Sequence, residues 1–351
     1  MKAAVFYGGT DIRVEDMPIP EPEPGEVLIR VRSGGVCGSD LHPYRGQDPN
    51  GVREPHQRGH ELAGEVVGLG EAVSSLQIGQ RVGIQAEHLL GCGTCRYCNK
   101  GEYHLCPSRG MPHGKRTESH GFSQYDTCVA SNCFSLPDHL GYDAASQLDC
   151  YACGVHALNR VQPGPDWTAV IIGTGAIGMT LGQVAKAYGT GRVIMIGTRQ
   201  EPLELAKRVG SADEGLTNSD GDPLQAVLDV TDGEGADVVF ETVGGTAPTL
   251  SQAVGMARRG GIVSVLGVFT GAQEVDVVTA YRKELRIQWS NSYSSWQGVS
   301  EYKTALELFT AARVDPSGFI THHYPIEQIG EAFEAADNKR KSGAIKVIVN
   351  P

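Results

Sequence analysis

Four side chains in the first 60 residues have the types needed for metal and proton chemistry. Cys37 and His60 offer a thiolate and an imidazole, which suit a zinc ion that keeps one coordination position open. Ser39 places a hydroxyl two residues after the thiol, and His42 adds a second imidazole. Taken singly, each also fits a bland role, such as a buried cysteine or a turn serine. Together they favour a zinc centre.

Four cysteines lie within 15 residues of one another, at Cys92, Cys95, Cys98 and Cys106. Their x2, x2 and x7 spacing suits a closed tetrahedral zinc site with four thiolate ligands. An iron–sulfur cluster is the alternative, because closely spaced cysteines also hold those clusters. A zinc ion with four protein ligands has no position left for a substrate, so this second metal is expected to be structural.

A glycine-rich turn marks a nucleotide site in the second half of the chain. Residues 168–172 are β-branched or apolar and predict a buried strand, and 192–196 predict the next one. Between them lie Gly173, Gly175 and Gly178, followed by a segment with helical spacing. In a β-α-β unit the first glycine allows the tight turn, the second lets the backbone approach a pyrophosphate, and the third lets helix and strand pack closely. The alternative is a glycine-rich turn without a ligand.

Composition limits the class of protein and its partners. The 351 residues carry a formal net charge of −11, which provides no basic face for nucleic acid. No stretch approaches the roughly 18 apolar residues that a membrane span needs. Nine cysteines without a secretion signal favour metal ligands over disulfides, so we expect a cytoplasmic protein. Short strands with Gly and Pro turns predict a barrel-like β domain over about the first 150 residues.

With these motifs in this order, the chain resembles the zinc-dependent medium-chain dehydrogenase/reductases, which include alcohol, sorbitol and threonine dehydrogenases. The resemblance covers essentially the whole chain. It depends on Cys37-Gly-Ser-Asp-Leu-His42, Gly59-His-Glu-Leu-Ala-Gly-Glu65, the four-cysteine lobe and the glycine turn. It implies an α/β protein with a GroES-like β-barrel catalytic domain and a Rossmann doubly wound parallel sheet.

The resemblance also implies the domain boundaries and the assembly. Residues 1–150 would form the catalytic domain with a zinc lobe at 88–106, and 151–290 the Rossmann domain. Residues 291–351 would complete the catalytic domain. Chemistry in this family takes place in the cleft between the two domains. The last predicted strand, near 287–293, adds to a partner's sheet in oligomeric members, so we expect a homodimer or homotetramer.

Several roles at the catalytic zinc follow from the resemblance by position. Cys37 and His60 correspond to the first two zinc ligands. Glu61 corresponds to the carboxylate that can approach the metal or replace its water. Asp40 corresponds to the acceptor that orients the ligand imidazole, a role expected of a carboxylate beside a zinc-binding histidine. These assignments make the segments around residues 37 and 60 the catalytic centre.

The third ligand of that zinc is where this chain departs from the family pattern. The family position held by Cys or Glu falls on Asp149, and Cys150 stands where polyol dehydrogenases often have proline. Both side chains can bind zinc, but neighbouring residues usually point in different directions. We predict Asp149 as the ligand and keep Cys150 as the alternative.

The reaction implied is the reversible oxidation of a secondary alcohol or polyol to a ketone. The zinc would lower the pKa of the substrate hydroxyl, and hydride would pass to a nicotinamide. Ser39 would accept the alcohol proton and pass it toward His42. Tyr44, Arg45 and Arg53 weakly suggest a polar or phosphorylated substrate.

The cofactor is expected to be NADP, with NAD as the alternative. Strand 192–196 is followed by Gly197, where an NAD enzyme usually has an acid that binds the ribose hydroxyls. Without that carboxylate, Thr198 and Arg199 could hydrogen-bond and pair with a 2′-phosphate. The remaining cofactor contacts predicted lie in the turn, in the nicotinamide loops and at a C-terminal lysine that approaches the pyrophosphate: Gly173, Gly175, Ala176, Ile177, Gly178, Val243, Leu266, Val268 and Lys346.

Two other functions are compatible with parts of the sequence. A zinc-free enoyl or quinone reductase has the same fold, but it would lack Cys37, His60 and the cysteine lobe. A nucleotide-binding zinc protein without turnover, a sensor or scaffold, would not need the Ser39 and His42 pair. Both are therefore less consistent with the sequence than a dehydrogenase.

Overall fold

A computed structural model describes residues 1–47, 55–111, 118–217 and 221–351. The chain forms two compact units, and it passes between them more than once. The first unit contains Met1–Asp149, Ser294–Thr310 and Ile320–Pro351. The second contains Cys150–Tyr293 and Ala311–Phe319.

The strands are numbered in chain order. They are β1 Lys2–Gly8, β2 Asp11–Asp16, β3 Glu26–Gly35, β4 Glu61–Leu69, β5 Arg81–Ile84, β6 Tyr125–Val129, β7 Cys133–Ser135, β8 Thr168–Ile172, β9 Arg192–Gly197, β10 Glu214–Thr217, β11 Ala236–Glu241, β12 Ala257–Val265, β13 Arg286–Trp289, β14 Ser295–Trp296, β15 Val299–Ser300, β16 Ile320–Pro325 and β17 Lys346–Asn350.

The α-helices are numbered in the same way. They are α1 Leu41–Tyr44, α2 Tyr142–Ala145, α3 Leu148–Val161, α4 Ala176–Ala187, α5 Gln200–Arg208, α6 Pro223–Val230, α7 Thr249–Met256, α8 Val277–Arg282, α9 Glu301–Thr310, α10 Ile329–Asp337 and α11 Lys339–Ser342. None of the helices in the described ranges combines the length and apolar composition that a bilayer crossing requires.

The first unit is built on a seven-stranded sheet in the order β16-β17-β3-β4-β5-β7, with β6 paired to β3. Every pair is antiparallel except β16 with β17. In β3, Val27, Ile29 and Val31 are buried while Arg30 and Arg32 face solvent. This period-two alternation is what one buried face requires. Strand β3 therefore runs through the core and delivers its carboxyl end to the predicted zinc centre.

The second unit contains a six-stranded parallel sheet in the order β10-β9-β8-β11-β12-β13. Its central strand β8 is buried along nearly its whole length, as its continuous apolar sequence predicts. The order reverses direction between β8 and β11, where an open α/β sheet binds ligands beyond its strand ends. This is the doubly wound parallel sheet that the sequence predicts.

Candidate functional site

The predicted catalytic segment is a turn between β3 and α1. The amide of Cys37 donates a 2.9 Å hydrogen bond to Asp40 Oδ2, and the amide of Asp40 donates back to the Cys37 carbonyl at 3.1 Å. Asp40 is buried at 3 % exposure. These reciprocal bonds fix the thiol-bearing turn in one shape, with Ser39 at its exposed tip.

Antiparallel pairing brings the second predicted segment beside the first. Gly35 at the end of β3 pairs with Glu61 at the start of β4. One ligand atom each of Cys37, His60 and Glu61 lies within 4.8 Å of the others. A sulfur, an imidazole nitrogen and a carboxylate oxygen at this spacing fit a zinc ion. The donor set is thus chemically suitable for the metal that the sequence predicts.

The surroundings of His60 are strongly anionic. Its Nδ1 lies 3.7 Å from Asp40 Oδ1. Burial lowers the pKa of His60, but the charges of Cys37, Asp40 and Asp149 raise it, and the net pKa is well above 6.5. Burial raises the pKa of Asp40, which the nearby His60 partly offsets. Such a group of negative charges is better balanced by a divalent cation than by one proton.

The third-ligand prediction falls at the start of α3. Asp149 is buried at 7 % exposure, and its charge is one of those that raise the pKa of His60. Cys150 is buried at 2 % exposure, and its carbonyl accepts a bond from Thr180 at 3.5 Å. Among the described residues, Asp149 is not within the tight group of Cys37, His60 and Glu61. Asp149 remains the predicted ligand and Cys150 the alternative.

Lys346 has a buried partner that the sequence did not indicate. We predicted a cation at the cofactor pyrophosphate, but the Lys346 ammonium forms an ion pair with Glu61 and also donates to the Val36 carbonyl at 3.2 Å. The two side chains are 1 % and 0 % exposed. A buried ammonium needs a buried anion, because an unpaired charge is costly to desolvate. The contact of Lys346 with a cofactor pyrophosphate stays a prediction.

The predicted proton relay begins at an exposed hydroxyl and ends at a half-buried imidazole. Ser39 is exposed, and His42 lies in the first turn of α1. Burial lowers the pKa of His42, and the charge of Arg45 lowers it further. His42 Nδ1 is buried and has no hydrogen-bond partner in the part of the chain that the structure describes. The lowered pKa keeps the ring neutral near pH 7, so His42 can take up a proton, but as a weaker base than a free imidazole.

One imidazole near this centre was not predicted. The ring of His88 meets that of His60 edge-on, with their centroids 5.3 Å apart. Burial lowers the pKa of His88 to about 3, helped by the charges of His60 and Arg109, so the ring is neutral. His88 lies in a 3-10 turn, Glu87–Leu89, with no ligand-like spacing. The sequence therefore contained no signal for it.

Of the residues that suggested a polar substrate, two have partners within the first unit. Arg45 Nε pairs with Asp337 Oδ1 at 2.6 Å, and the Tyr44 ring packs against Phe333 with centroids 5.6 Å apart. Arg53 lies outside the described residues. These contacts give no support to a substrate role for Tyr44 or Arg45.

The four cysteines of the lobe converge. One sulfur atom from each of Cys92, Cys95, Cys98 and Cys106 lies within 4.8 Å of the others. Three backbone amides donate to two of these sulfurs, those of Cys95 and Cys106, at 3.4–3.5 Å. Amides near Thr94 lower the pKa of Cys92 to about 6, whereas burial and the neighbouring thiols raise that of Cys98 to about 12. Four thiolates can ionise so close together only around a cation, so the lobe fits a zinc ion.

The glycine turn has the geometry that its three glycines predict. Gly173 has φ of 118°, which only glycine adopts without strain. A Cβ on Gly178 would lie 2.1 Å from the Gly173 carbonyl oxygen. Gly175 precedes α4, and no side chain caps the helix. Ala176 and Ile177 form its first residues, so the backbone N–H groups of 175–178 can face an anion.

The predicted ribose-binding position lies at the end of β9. Gly197 is the last residue of the strand, and a Cβ there would lie 2.5 Å from Thr174 Cγ2. Thr198 is exposed, and Arg199 is half-buried at the N-cap of α5. The sequence thus brings no carboxylate to this position, and a side chain added there would displace the Thr174 methyl group. Thr198 and Arg199 remain the predicted contacts of a 2′-phosphate.

Two loops follow β11 and β12 at the same edge of the sheet. Gly245 N donates to the Val268 carbonyl at 2.8 Å, which joins the loops. Val243 and Val268 are 48 % and 54 % exposed although both are apolar, and Leu266 is half-buried. Exposed valines at the strand ends are consistent with the predicted nicotinamide contacts.

Comparisons with known proteins identify the family. Residues 23–138 match the family model of the alcohol dehydrogenase GroES-like domain, and 176–311 match that of the zinc-binding dehydrogenases. Sorbitol dehydrogenase of Bacillus subtilis is 32% identical over 100% of this chain and 97% of that protein. The chain belongs to the zinc-dependent medium-chain dehydrogenase family.

Solved structures agree over the full length. Galactitol-1-phosphate dehydrogenase of Escherichia coli is 29% identical, with a TM-score of 0.87 and 100% of each chain covered. A zinc-binding dehydrogenase from Sinorhizobium meliloti 1021, solved with bound NADP, is 28% identical, with a TM-score of 0.87, 100% of this chain covered and 99% of the other. The predicted family and fold class are confirmed, and the chain is an NAD(P)-dependent oxidoreductase of the alcohol and polyol class.

Proposed function

We propose that the chain oxidises a secondary alcohol of a polyol reversibly to a ketone, with NADP as hydride acceptor and a zinc ion held by Cys37, His60 and Asp149. The observation that supports this best is the convergence of Cys37, His60 and Glu61 ligand atoms within 4.8 Å. Sorbitol and galactitol-1-phosphate dehydrogenases are among the similar proteins, which favours a polyol as substrate.

In this proposal the protein's own groups manage the proton and the orientation. A bound zinc ion would supply Lewis acidity toward a substrate hydroxyl. Ser39, exposed at the tip of its turn, accepts the hydroxyl proton, and the neutral His42 takes it up. Asp40, 3.7 Å from His60 Nδ1, holds the ligand imidazole in place. The Glu61 carboxylate is paired with the buried ammonium of Lys346.

NADP is favoured over NAD by the end of β9. Gly197 brings no carboxylate to repel a 2′-phosphate, and Arg199 can pair with it. The S. meliloti relative was solved with NADP. The turn at 173–178, with its uncapped helix, would hold the pyrophosphate.

A second zinc ion held by Cys92, Cys95, Cys98 and Cys106 would be structural. We expect two zinc ions per chain and a cytoplasmic protein. We also propose a homo-oligomer formed through β13, which is an edge strand of the parallel sheet. Trp289 on β13 and Tyr281 on α8 are 60 % and 84 % exposed, and such aromatic side chains favour a partner surface.

The test combines metal analysis with paired cofactor kinetics. Purified protein is expected to contain two zinc ions per chain and to oxidise NADPH with a ketone from a panel of ketoses and simple ketones. The kcat/KM ratio for NADPH over NADH should exceed about 10, a difference of about 1.4 kcal/mol. Zinc and nucleotide binding without turnover on any ketone would favour the sensor instead.

A further inference from the structure

Glu241 is the last residue of β11, in the second unit, and its side chain is fully buried, at 0 % exposure. A buried carboxylate is costly unless it is hydrogen-bonded. Its Oε1 accepts three bonds, from the amides of Val243 at 2.8 Å and Gly244 at 2.9 Å and from the Thr249 hydroxyl at 2.7 Å. The carboxylate therefore fixes the loop that follows its own strand.

The same residue also holds the loop after β12. The Glu241 carbonyl accepts bonds from the amides of Leu266 at 2.8 Å and Gly267 at 3.1 Å. A Cβ on Gly267 would lie 2.3 Å from Glu241 Oε2, so the side chain packs directly against that glycine. We call residues 243–245 and 266–268 the paired loops. Glu241 occupies the space between them.

The two valines at the tips of the paired loops depend on this arrangement. Gly244, with φ of 63°, turns so closely on the second loop that a Cβ there would lie 2.5 Å from Val268 N. Val243 and Val268 lie on the two loops that are joined in this way, and each is about half exposed. They lie at the carboxyl ends of parallel strands, where ligands bind in this sheet type.

We infer that Glu241 is a positioning residue for the nicotinamide half of the cofactor. It acts through the paired loops, which it holds in the spacing that Val243 and Val268 need to contact one face of a planar ring. This inference rests on the proposed function, because it assumes that a dinucleotide occupies the turn at 173–178. If it is correct, loss of the Glu241 side chain weakens binding of the nicotinamide half of the cofactor and leaves binding of the adenine half unchanged.

The contribution of the nicotinamide half to binding is measured by comparing two probes. NADPH carries the nicotinamide ring, and 2′-phospho-ADP-ribose is the same nucleotide without it. NADH and ADP-ribose replace them if the chain prefers NAD. Dissociation constants for both probes are measured by calorimetry for the natural chain, Glu241→Ala and Glu241→Gln. Val227→Ala, a fully buried core change on α6, is the matched control for lost stability.

We expect Glu241→Ala to weaken NADPH binding at least about tenfold while 2′-phospho-ADP-ribose binding changes less than about twofold. Glu241→Gln keeps an acceptor oxygen of similar shape but loses the charge, and charge-assisted hydrogen bonds are about twice as strong as neutral ones. We therefore expect it to show a smaller loss, again confined to NADPH. Val227→Ala should change both affinities by the same small factor.

Several results would overturn the inference. If Glu241→Ala weakens both probes equally, Glu241 has only a structural role. If neither Glu241 variant changes NADPH binding, the paired loops do not position the ring. Where the alanine variant does not fold, the glutamine variant decides between these outcomes. Failure of the natural chain to bind either probe would instead refute the proposed function, and the inference with it.

Discussion

Substitution of Gly178 by alanine should weaken nucleotide binding through a backbone clash. The added methyl carbon would lie 2.1 Å from the Gly173 carbonyl oxygen, both of them in the glycine turn. Since carbon and oxygen atoms do not approach much closer than 3 Å, helix α4 and the turn must separate by about 1 Å. Neither group is at the end of a flexible side chain, so the backbone itself has to move.

The magnitude follows from the contacts that the turn would make. Hydrogen bonds from backbone amides to a charged group contribute about 1.5–3 kcal/mol each. Misplacing one of them should therefore weaken NADPH and NADH binding by a factor of about 10 to 100. The measurement is the dissociation constant of each cofactor, by quenching of protein fluorescence, with zinc content and Tm recorded for the same samples.

Gly182→Ala provides the matched control in the same helix. Its Cβ would lie 1.9 Å from the Ser211 carbonyl oxygen, an equally severe clash away from the glycine turn. We expect a comparable fall in Tm but cofactor affinities within about twofold of the natural chain. If Gly178→Ala binds cofactor normally, or if Gly182→Ala loses as much affinity, the assignment of the turn to the pyrophosphate is wrong.

Four other predictions concern the metal centres, the cofactor and pH. Lys346→Met leaves Glu61 without its buried cation and should lower the free energy of unfolding in urea by about 3–5 kcal/mol, and adding Glu61→Gln should restore part of it. Cys98→Ser should reduce zinc, measured by mass spectrometry, from two ions per chain to one and lower Tm, whereas an unchanged zinc content would contradict a four-cysteine site. Gly197→Asp should lower the kcat/KM ratio of NADPH to NADH at least about tenfold, and Gly197→Ala, which adds bulk without charge, should not. Burial raises the pKa of Glu87 to about 8 in the folded chain, so the folded state holds a proton that the unfolded state releases above about pH 4.5. The free energy of unfolding should therefore fall as pH rises from about 4.5 to 8. Denaturation curves of Glu87→Gln should show a smaller dependence on pH.

The fold could be predicted because each unit has its own periodicity. The alternating burial of β3 and the continuous apolar run of β8 are local signals of a half-buried and a fully buried strand. Element boundaries depend on contacts far along the chain. Helix α7 ends at Met256, because Ala257 pairs with β11 and Arg258 Nε binds Asp237 Oδ1 at 2.6 Å. Ladder pairing there overrides local helix propensity.

The site could be predicted where its residues form short motifs and not where they meet across the chain. Cys37 and His60 lie in recognisable segments. The partner of Lys346 is 285 positions away, so only the folded sheet could show that β17 brings its ammonium to Glu61. His88 is in a turn without ligand spacing. Glu241 did leave a signal, since a carboxylate that closes an apolar buried strand demands hydrogen-bond donors.

Buried charges explain why the two chemical centres of this chain have fixed shapes. Asp40 is held by the Cys37 amide and faces His60, and Glu61 is held by Lys346. Glu241 is held by three donors in the other unit. An apolar side chain could fill the same space, but it would tolerate several orientations, whereas a buried carboxylate is stable only when its donors stay in place. The folded state is therefore stable only when these carboxylates keep their donors, and the binding residues beside them are held in position as a result.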